Sequence, residues 1–218
     1  MTMNLDLIQK TKDFLEETFH SSDYLRSNPR ERSYRLEHSY RVANLAKTIA
    51  LQEGLDVTYA VIAGLLHDIA YCEAMPTKED RRNHGRIGAA IARPFLCSLG
   101  LSPEAVNDIC FSIAIHVDDR ADFDWTRSAF SETVGDADNI DRFDVYRIYE
   151  TLQFVKFDEM SLEEKKTHVS STLEKLIRLQ EMPLGTSTAK TLWLQRLDYY
   201  IGFYEKLNAQ LLRSNCVE

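Results

Sequence analysis

The chain has 218 residues, with 26 Lys and Arg against 34 Asp and Glu and a formal net charge of −8. Its 44% apolar and 28% charged residues are those of a soluble globular protein long enough to bury a substantial core. The acidic balance argues against a broad nucleic-acid surface, no apolar run approaches the ~20 residues that span a bilayer, and Met1–Asp6 lacks the charged and apolar regions of a signal peptide.

Helical patterns dominate, because Gly and Pro are few and strand-like alternation is scarce. Leu5, Ile8, Leu15 and Phe19 predict an amphipathic helix over 5–20. Asn28-Pro29-Arg30-Glu31 supplies the start signals of the next: a capping residue, Pro at the first position and an acid in the first turn. That helix places Tyr34, His38, Val42, Leu45 and Ile49 on one stripe and should stop near Gly54. Asp56 can cap the apolar helix that follows, which ends in the doublet His67-Asp68.

Residues 71–83 break the pattern and predict a loop. Asn83 is the expected cap of a helix from His84 to about Leu99, and Ser102-Pro103-Glu104 opens another that reaches His116. A polar, acidic loop over 117–126 follows, and then helical pattern from near Ser128 to about 157 with one break. Ser161-Leu162-Glu163-Glu164 is a capping box, and Met182-Pro183-Leu184-Gly185 punctuates the chain before the last helix. There Trp193, Leu197, Tyr200, Tyr204, Leu207 and Leu211 make one continuous apolar stripe, either core packing or a homodimer seam. The expected architecture is all-α, a single domain over 1–218. Its core spans about 30–150, and a C-terminal helical extension spans about 160–214. Cys72, Cys97, Cys110 and Cys216 form no Cys-x-x-Cys pair, which fits reduced thiols in a cytoplasmic protein.

A His-Asp doublet alone is a weak motif. Its setting is informative: it closes an apolar helix, where a carboxylate beside an imidazole is costly unless both are paired or hold a metal. His38 lies on an inward stripe, His84 opens one helix, His116 closes another, and Asp138 lies in Asp136-Ala137-Asp138-Asn139-Ile140-Asp141. Histidines and carboxylates drawn from separate helices are a common way to build a metal site in an all-α scaffold. Nitrogen and oxygen donors suit a divalent transition metal, Mn, Fe, Co, Ni or Zn, and the lack of clustered thiolates argues against a structural zinc site.

The ordered set His38, His67-Asp68, Asp138 resembles the H…HD…D signature of the HD-domain metal-dependent phosphohydrolases. His38-Ser39-Tyr40-Arg41-Val42-Ala43 is similar to that family's first-histidine helix, Ala63-Gly64-Leu65-Leu66-His67-Asp68-Ile69-Ala70 to its doublet helix, and Asp136–Asp141 to its last-ligand segment. The resemblance covers roughly residues 30–150 and implies an HD-like helical bundle. It also implies His38, His67, Asp68 and Asp138 as metal ligands. His84 and His116 would complete a second metal position, or bind phosphate, or supply a general acid, with Asp68 bridging two ions. Ala70 stands where many members have Gly. Asn139 replaces a frequent Arg, and Arg142 is its candidate substitute.

The implied chemistry is hydrolysis of a phosphoester or phosphoanhydride by a metal-activated water, with one or two ions, on a small phosphorylated metabolite and first of all a nucleotide. Asp68, His84 and His116 are the candidate catalytic groups. Arg41, Lys78, Arg81, Arg82 and Arg142 are the candidate phosphate contacts. Two rivals use the same residues: a di-iron oxygenase of the HD type, and a non-catalytic module that binds a nucleotide and reports it to a partner.

Overall fold

A computed structural model describes residues 3–215 and Val217, so Cys216 lies outside the described residues. Regular structure among them is entirely helical, in ten α-helices and two 3₁₀ turns. No helix among them is long and apolar enough to cross a membrane. The chain divides into two compact units, Met1–Asp138 and Asn139–Glu218.

The first unit contains α1 (Leu5–Ser21), α2 (Asp23–Ser27), α3 (Pro29–Glu53), α4 (Val57–Leu66), a 3₁₀ turn (Ile69–Cys72), α5 (Lys78–Ser98), α6 (Pro103–Ile115) and most of α7 (Ala129–Asp141). Its centre is α4, capped by the Asp56 carboxylate on the Tyr59 N–H at 2.9 Å. Apart from Tyr59 every residue of α4 is buried, and it packs against α1, α3 and α6. A helix that is apolar all round has no solvent face to offer and must lie inside. Leu15 and Phe19 from α1, Leu25 from α2, Leu96 from α5 and Ile109 and Ile113 from α6 close the core around it.

Two local expectations are corrected. The doublet does not continue α4. That helix ends at Leu66, and Asp68, with φ −101° and ψ 14°, begins a tight turn closed by the Tyr71 N–H on the Asp68 carbonyl at 3.0 Å. This backbone region is sparsely used and common at functional positions.

The 71–83 loop is also shorter than expected. Thr77 and Asp80 form a reciprocal capping box, each side chain accepting from the other's backbone N–H at 3.0 and 2.9 Å, and so start α5 at Lys78. Asn83 is therefore inside the helix and donates to Glu79 at 3.1 Å. His84 becomes a second-turn residue with a fixed direction. Lys78, Arg81 and Arg82 become helical as well.

The second unit holds the end of α7, α8 (Val145–Phe154), a 3₁₀ turn (Phe157–Glu159), α9 (Leu162–Leu179) and α10 (Ser187–Leu212). The expected break falls at 142–144, where Asp144 caps α8. The units divide at 138/139. The cause lies in the packing of the residues that follow. The Phe143 ring meets Trp193 edge-on at 4.9 Å, and Asp144 pairs with Arg196 at 2.8 Å. Trp193, Leu197, Tyr200 and Tyr204 are buried within this unit, and Trp193 Nε1 donates to the Leu179 carbonyl at 2.9 Å. These four residues of the α10 stripe are thus spent on packing within the chain. Trp193→Ala should cost this unit about 3–5 kcal/mol, the scale for truncating a buried aromatic, visible as a lower urea midpoint.

Candidate metal centre

Four helices and one turn of the first unit deliver six polar side chains to one place. His38 comes from the middle of α3, His67 and Asp68 from the turn directly after α4, His84 from α5, His116 from the cap of α6 and Asp138 from α7. All six side chains are buried, none more than 5% exposed. His38 Nε2 lies 3.2 Å from His67 Nε2 and 3.1 Å from Asp138 Oδ1. His84 Nε2 lies 3.0 Å from His116 Nε2.

Asp68 stands between these groups, and its two oxygens divide. Oδ2 is 3.6 Å from His38 Nε2 and 3.7 Å from His67 Nε2, while Oδ1 is 3.1 Å from His84 Nε2 and 3.9 Å from His116 Nε2.

The backbone fixes the ring orientations. Nδ1 of His67, His84 and His116 lies 2.8, 2.6 and 2.6 Å from the carbonyls of Gly64, Arg81 and Ile113. A carbonyl only accepts, so each Nδ1 donates to it and each ring turns its Nε2 inward. His84 and His116 therefore meet Nε2 to Nε2. That contact is repulsive unless a proton or a metal cation lies between the two nitrogens. The cluster fits a metal on this observation and on its donors. His38, His67 and Asp138 each offer an atom within 4.8 Å of the others, as do His67, Asp68 and His116. Tying the remote ring nitrogen to an acceptor is also how metal-bound imidazoles are held.

Two glycines permit the approach. A Cβ on Gly64 would stand 2.8 Å from Ala43 Cα, at the α3–α4 crossing that joins His38 to His67. A Cβ on Gly85 would stand 2.6 Å from the Ala114 carbonyl oxygen and 2.9 Å from that of Ile113, at the α5–α6 crossing that joins His84 to His116.

Burial pushes the His67 pKa down, and burial with the neighbouring His67 and His84 pushes His116 from 6.5 to about 3. Burial opposes ionisation of Asp68. The His67, His84 and His38 imidazoles and the Arg35 guanidinium outweigh it and hold the carboxyl well below its usual range. The folded chain thus refuses protons at His116 that the unfolded chain takes up below pH 6.5. Stability of the metal-free protein should be complete above pH 6.5 and fall as pH drops toward 3, with a slope approaching about 1.4 kcal/mol per pH unit for one linked proton. Asp68 adds a loss of the same sign at lower pH. Urea midpoints measured from pH 7.5 down to pH 4.5 check the direction.

The expected cations lie elsewhere than the loop predicted. Lys78 and Arg82 are exposed on the first turns of α5, and Arg82, two residues before His84, projects about 200° around the helix from it. Arg81 Nη1 donates to the carbonyls of Met75 and Pro76 at 2.8 and 3.1 Å, closing the turn before α5. Arg41 is half-buried on α3, one turn after His38, and Arg142 is an exposed residue of the second unit.

The cation at the centre is one that sequence reasoning missed. Arg35, one turn before His38, donates from Nη1 to Asp68 Oδ2 at 2.9 Å, and its guanidinium lies 3.3 Å from the Tyr71 ring centroid. The signal was the Arg35-x-x-His38 spacing, which puts both side chains on one face of a helix.

Fold and site together define an all-helical scaffold with a buried His/Asp cluster able to hold metal. Residues 35–146 match the family model of the HD domain, and the chain belongs to that family. Among solved structures it is similar to a predicted HD superfamily hydrolase from an uncultured Thermotogales bacterium. The TM-score is 0.65 at 21% identity, over 93% of this chain and 91% of that one. It is also similar to Bacillus subtilis YpgQ in complex with ADP, at a TM-score of 0.63 and 20% identity over 94% and 95% of the two chains. Over 60 residues it is 45% identical to ribonuclease Y of Thermus thermophilus and 43% identical to ribonuclease Y 1 of Pediococcus pentosaceus. Those stretches are 28% of this chain but 10% and 11% of the relatives, so the chain spans about a tenth of the length of the curated relatives it matches.

Proposed function

We propose that the protein is a metal-dependent phosphohydrolase acting on a small phosphorylated metabolite, a nucleotide first among them, in the cytoplasm. The observation that carries the reading is the inward set of Nε2 atoms around a carboxylate whose two oxygens face different histidine pairs. His38, His67 and Asp138 would hold one divalent ion and His84 with His116 a second, Asp68 facing both. Ions held there acidify a bound water and neutralise charge on the phosphoryl group.

The chain's own residues supply the rest. Asp68 stays ionised at neutral pH and can accept a hydrogen bond from the attacking water, which orients it. We assign the phosphate contact to Arg35, with Arg41, in place of Lys78, Arg81 and Arg82. Arg35 already reaches Asp68, whereas Arg81 is engaged with loop carbonyls. His84 and His116 have committed Nδ1 to the backbone and direct Nε2 at Asp68, which favours ligation over service as a free acid.

The ADP bound to YpgQ supports a nucleotide, and the net charge of −8 favours a small anion over a polymer. The test is metal analysis of protein purified without chelator, then a phosphate-release screen over mono-, di- and dinucleotides with Mn²⁺, Co²⁺, Ni²⁺ and Fe²⁺. Bound metal and release from a nucleotide are expected. Two irons with oxygen uptake and no phosphate would instead mark the oxygenase, and tight nucleotide binding without turnover the binding module.

A further inference from the structure

Arg35 poses a problem for a metal centre: a guanidinium within hydrogen-bond distance of the central carboxylate competes with cations for it. Its position is set by an aromatic ring. Tyr71, in the 3₁₀ turn directly after the doublet, is buried, 8% exposed. The Arg35 guanidinium lies 3.3 Å from its ring centroid, and the His84 ring lies 4.9 Å away with its plane tilted by 48°. Arg35 is confined further by Tyr34, at 5.4 Å, and by Glu31, at 3.4 Å.

We infer that Tyr71 is a positioning residue for the second ion: its ring pins Arg35 onto Asp68 Oδ2, keeps that cation away from Oδ1, and backs the His84 imidazole that faces Oδ1. The argument is geometric. Nη1 of Arg35 donates to Oδ2 at 2.9 Å, on the side of Asp68 that faces His38 and His67. Oδ1 lies 3.1 Å from His84 Nε2. A guanidinium is planar and stacks flat on an aromatic face, so the ring fixes its plane as well as its place. Without the ring, Arg35 can swing toward Oδ1, and His84 loses the wall behind it. The first ion, on His38, His67 and Asp138, touches neither partner of Tyr71 except through Asp68. The effect should therefore be selective. It needs the aromatic face and not the hydroxyl.

The inference rests on the two-ion reading of the centre. The test is a Co²⁺ titration of metal-free protein, followed by visible absorption and by calorimetry. Wild type should take up two ions. Tyr71→Leu should weaken the second by about 10-fold or more, the scale of lost outer-shell contacts to a metal site, with the first ion and its absorption band unchanged. Tyr71→Phe should restore the second ion to near the wild-type affinity, which a simple loss of packing would not distinguish by hydroxyl or ring. Arg35→Lys keeps the charge but not the plane, and should repeat the selective loss even if Tyr71→Leu does not fold. A wild-type protein that takes up no cobalt overturns the metal reading itself. Two ions in wild type with an unchanged second ion in Tyr71→Leu, equal weakening by Tyr71→Phe, or unselective loss in Arg35→Lys overturns the role of Tyr71 alone.

Discussion

Asp68→Ala should remove the second ion, weaken the first and lower phosphate release by about 10²–10³-fold or more, the scale on which loss of one preorganised charged group falls. The reason is the division of its oxygens. Asp68 lies within 4 Å of all four site histidines, at 3.6 and 3.7 Å through Oδ2 and 3.1 and 3.9 Å through Oδ1. No neighbour can take over both directions at once. The substitution also takes from Arg35, whose side chain is only 17% exposed, its 2.9 Å carboxylate partner and leaves it Glu31 at 3.4 Å and the Tyr71 ring. Breaking a buried ion pair from one side costs about 3–5 kcal/mol. The variant should therefore melt earlier as well as lose metal. Asp68→Asn separates the two effects: it keeps the volume and one acceptor oxygen for Arg35 but removes the charge. Metal content by elemental analysis, thermal melting and phosphate release, measured together, check the prediction. Wild-type metal content in both variants would remove Asp68 from the site.

Much of this centre was legible because its residues are spaced for their elements. His38 occupies an apolar stripe and the doublet closes an apolar helix, so their inward direction followed from the hydrophobic pattern, whereas Asp138 stood out through the resemblance of its segment to the HD family's last ligand. The structure buries Asp136, Asp138 and Asp141 and leaves Asp119, Asp122 and Asp124 exposed, a distinction that composition cannot make. Other features were lost to local chemistry. Thr77 and Asp80 form a capping box with Asp in place of the more usual Glu, and overlooking it misplaced the start of α5, and with it the surroundings of His84 and the cations. Arg35 was hidden for a different reason. Its importance depends on Tyr71, 36 positions later, and on the tight turn that begins at Asp68. A contact between a helix face and a distant turn has no signature in spacing.

The glycine crossings were also invisible, since a sequence shows a glycine but not what stands opposite it. Gly85→Ala turns that into a prediction. The added Cβ would lie 2.6 Å from the Ala114 carbonyl oxygen, 2.9 Å from that of Ile113 and 3.2 Å from His116 Nδ1. Two of these contacts are backbone, which cannot swing aside as the end of a flexible side chain can. The Ile113 carbonyl is moreover the acceptor that orients His116, at 2.6 Å. Relief of the clash must part α5 from α6, and this separates His84 from His116 and releases the His116 ring. The overpacking should cost about 1–3 kcal/mol of stability, less any gain from replacing a helical glycine. The larger effect should be on metal, because the variant loses the geometry of one histidine pair while His38, His67 and Asp138 are untouched. Gly85→Ala should thus match His116→Ala, binding one ion where two are proposed for wild type. Gly64→Ala, which meets Ala43 Cα at 2.8 Å, should instead injure the His38–His67 pair. Metal stoichiometry by elemental analysis separates the outcomes. Two ions retained at wild-type affinity in Gly85→Ala would mean that the α5–α6 crossing does not set the second site.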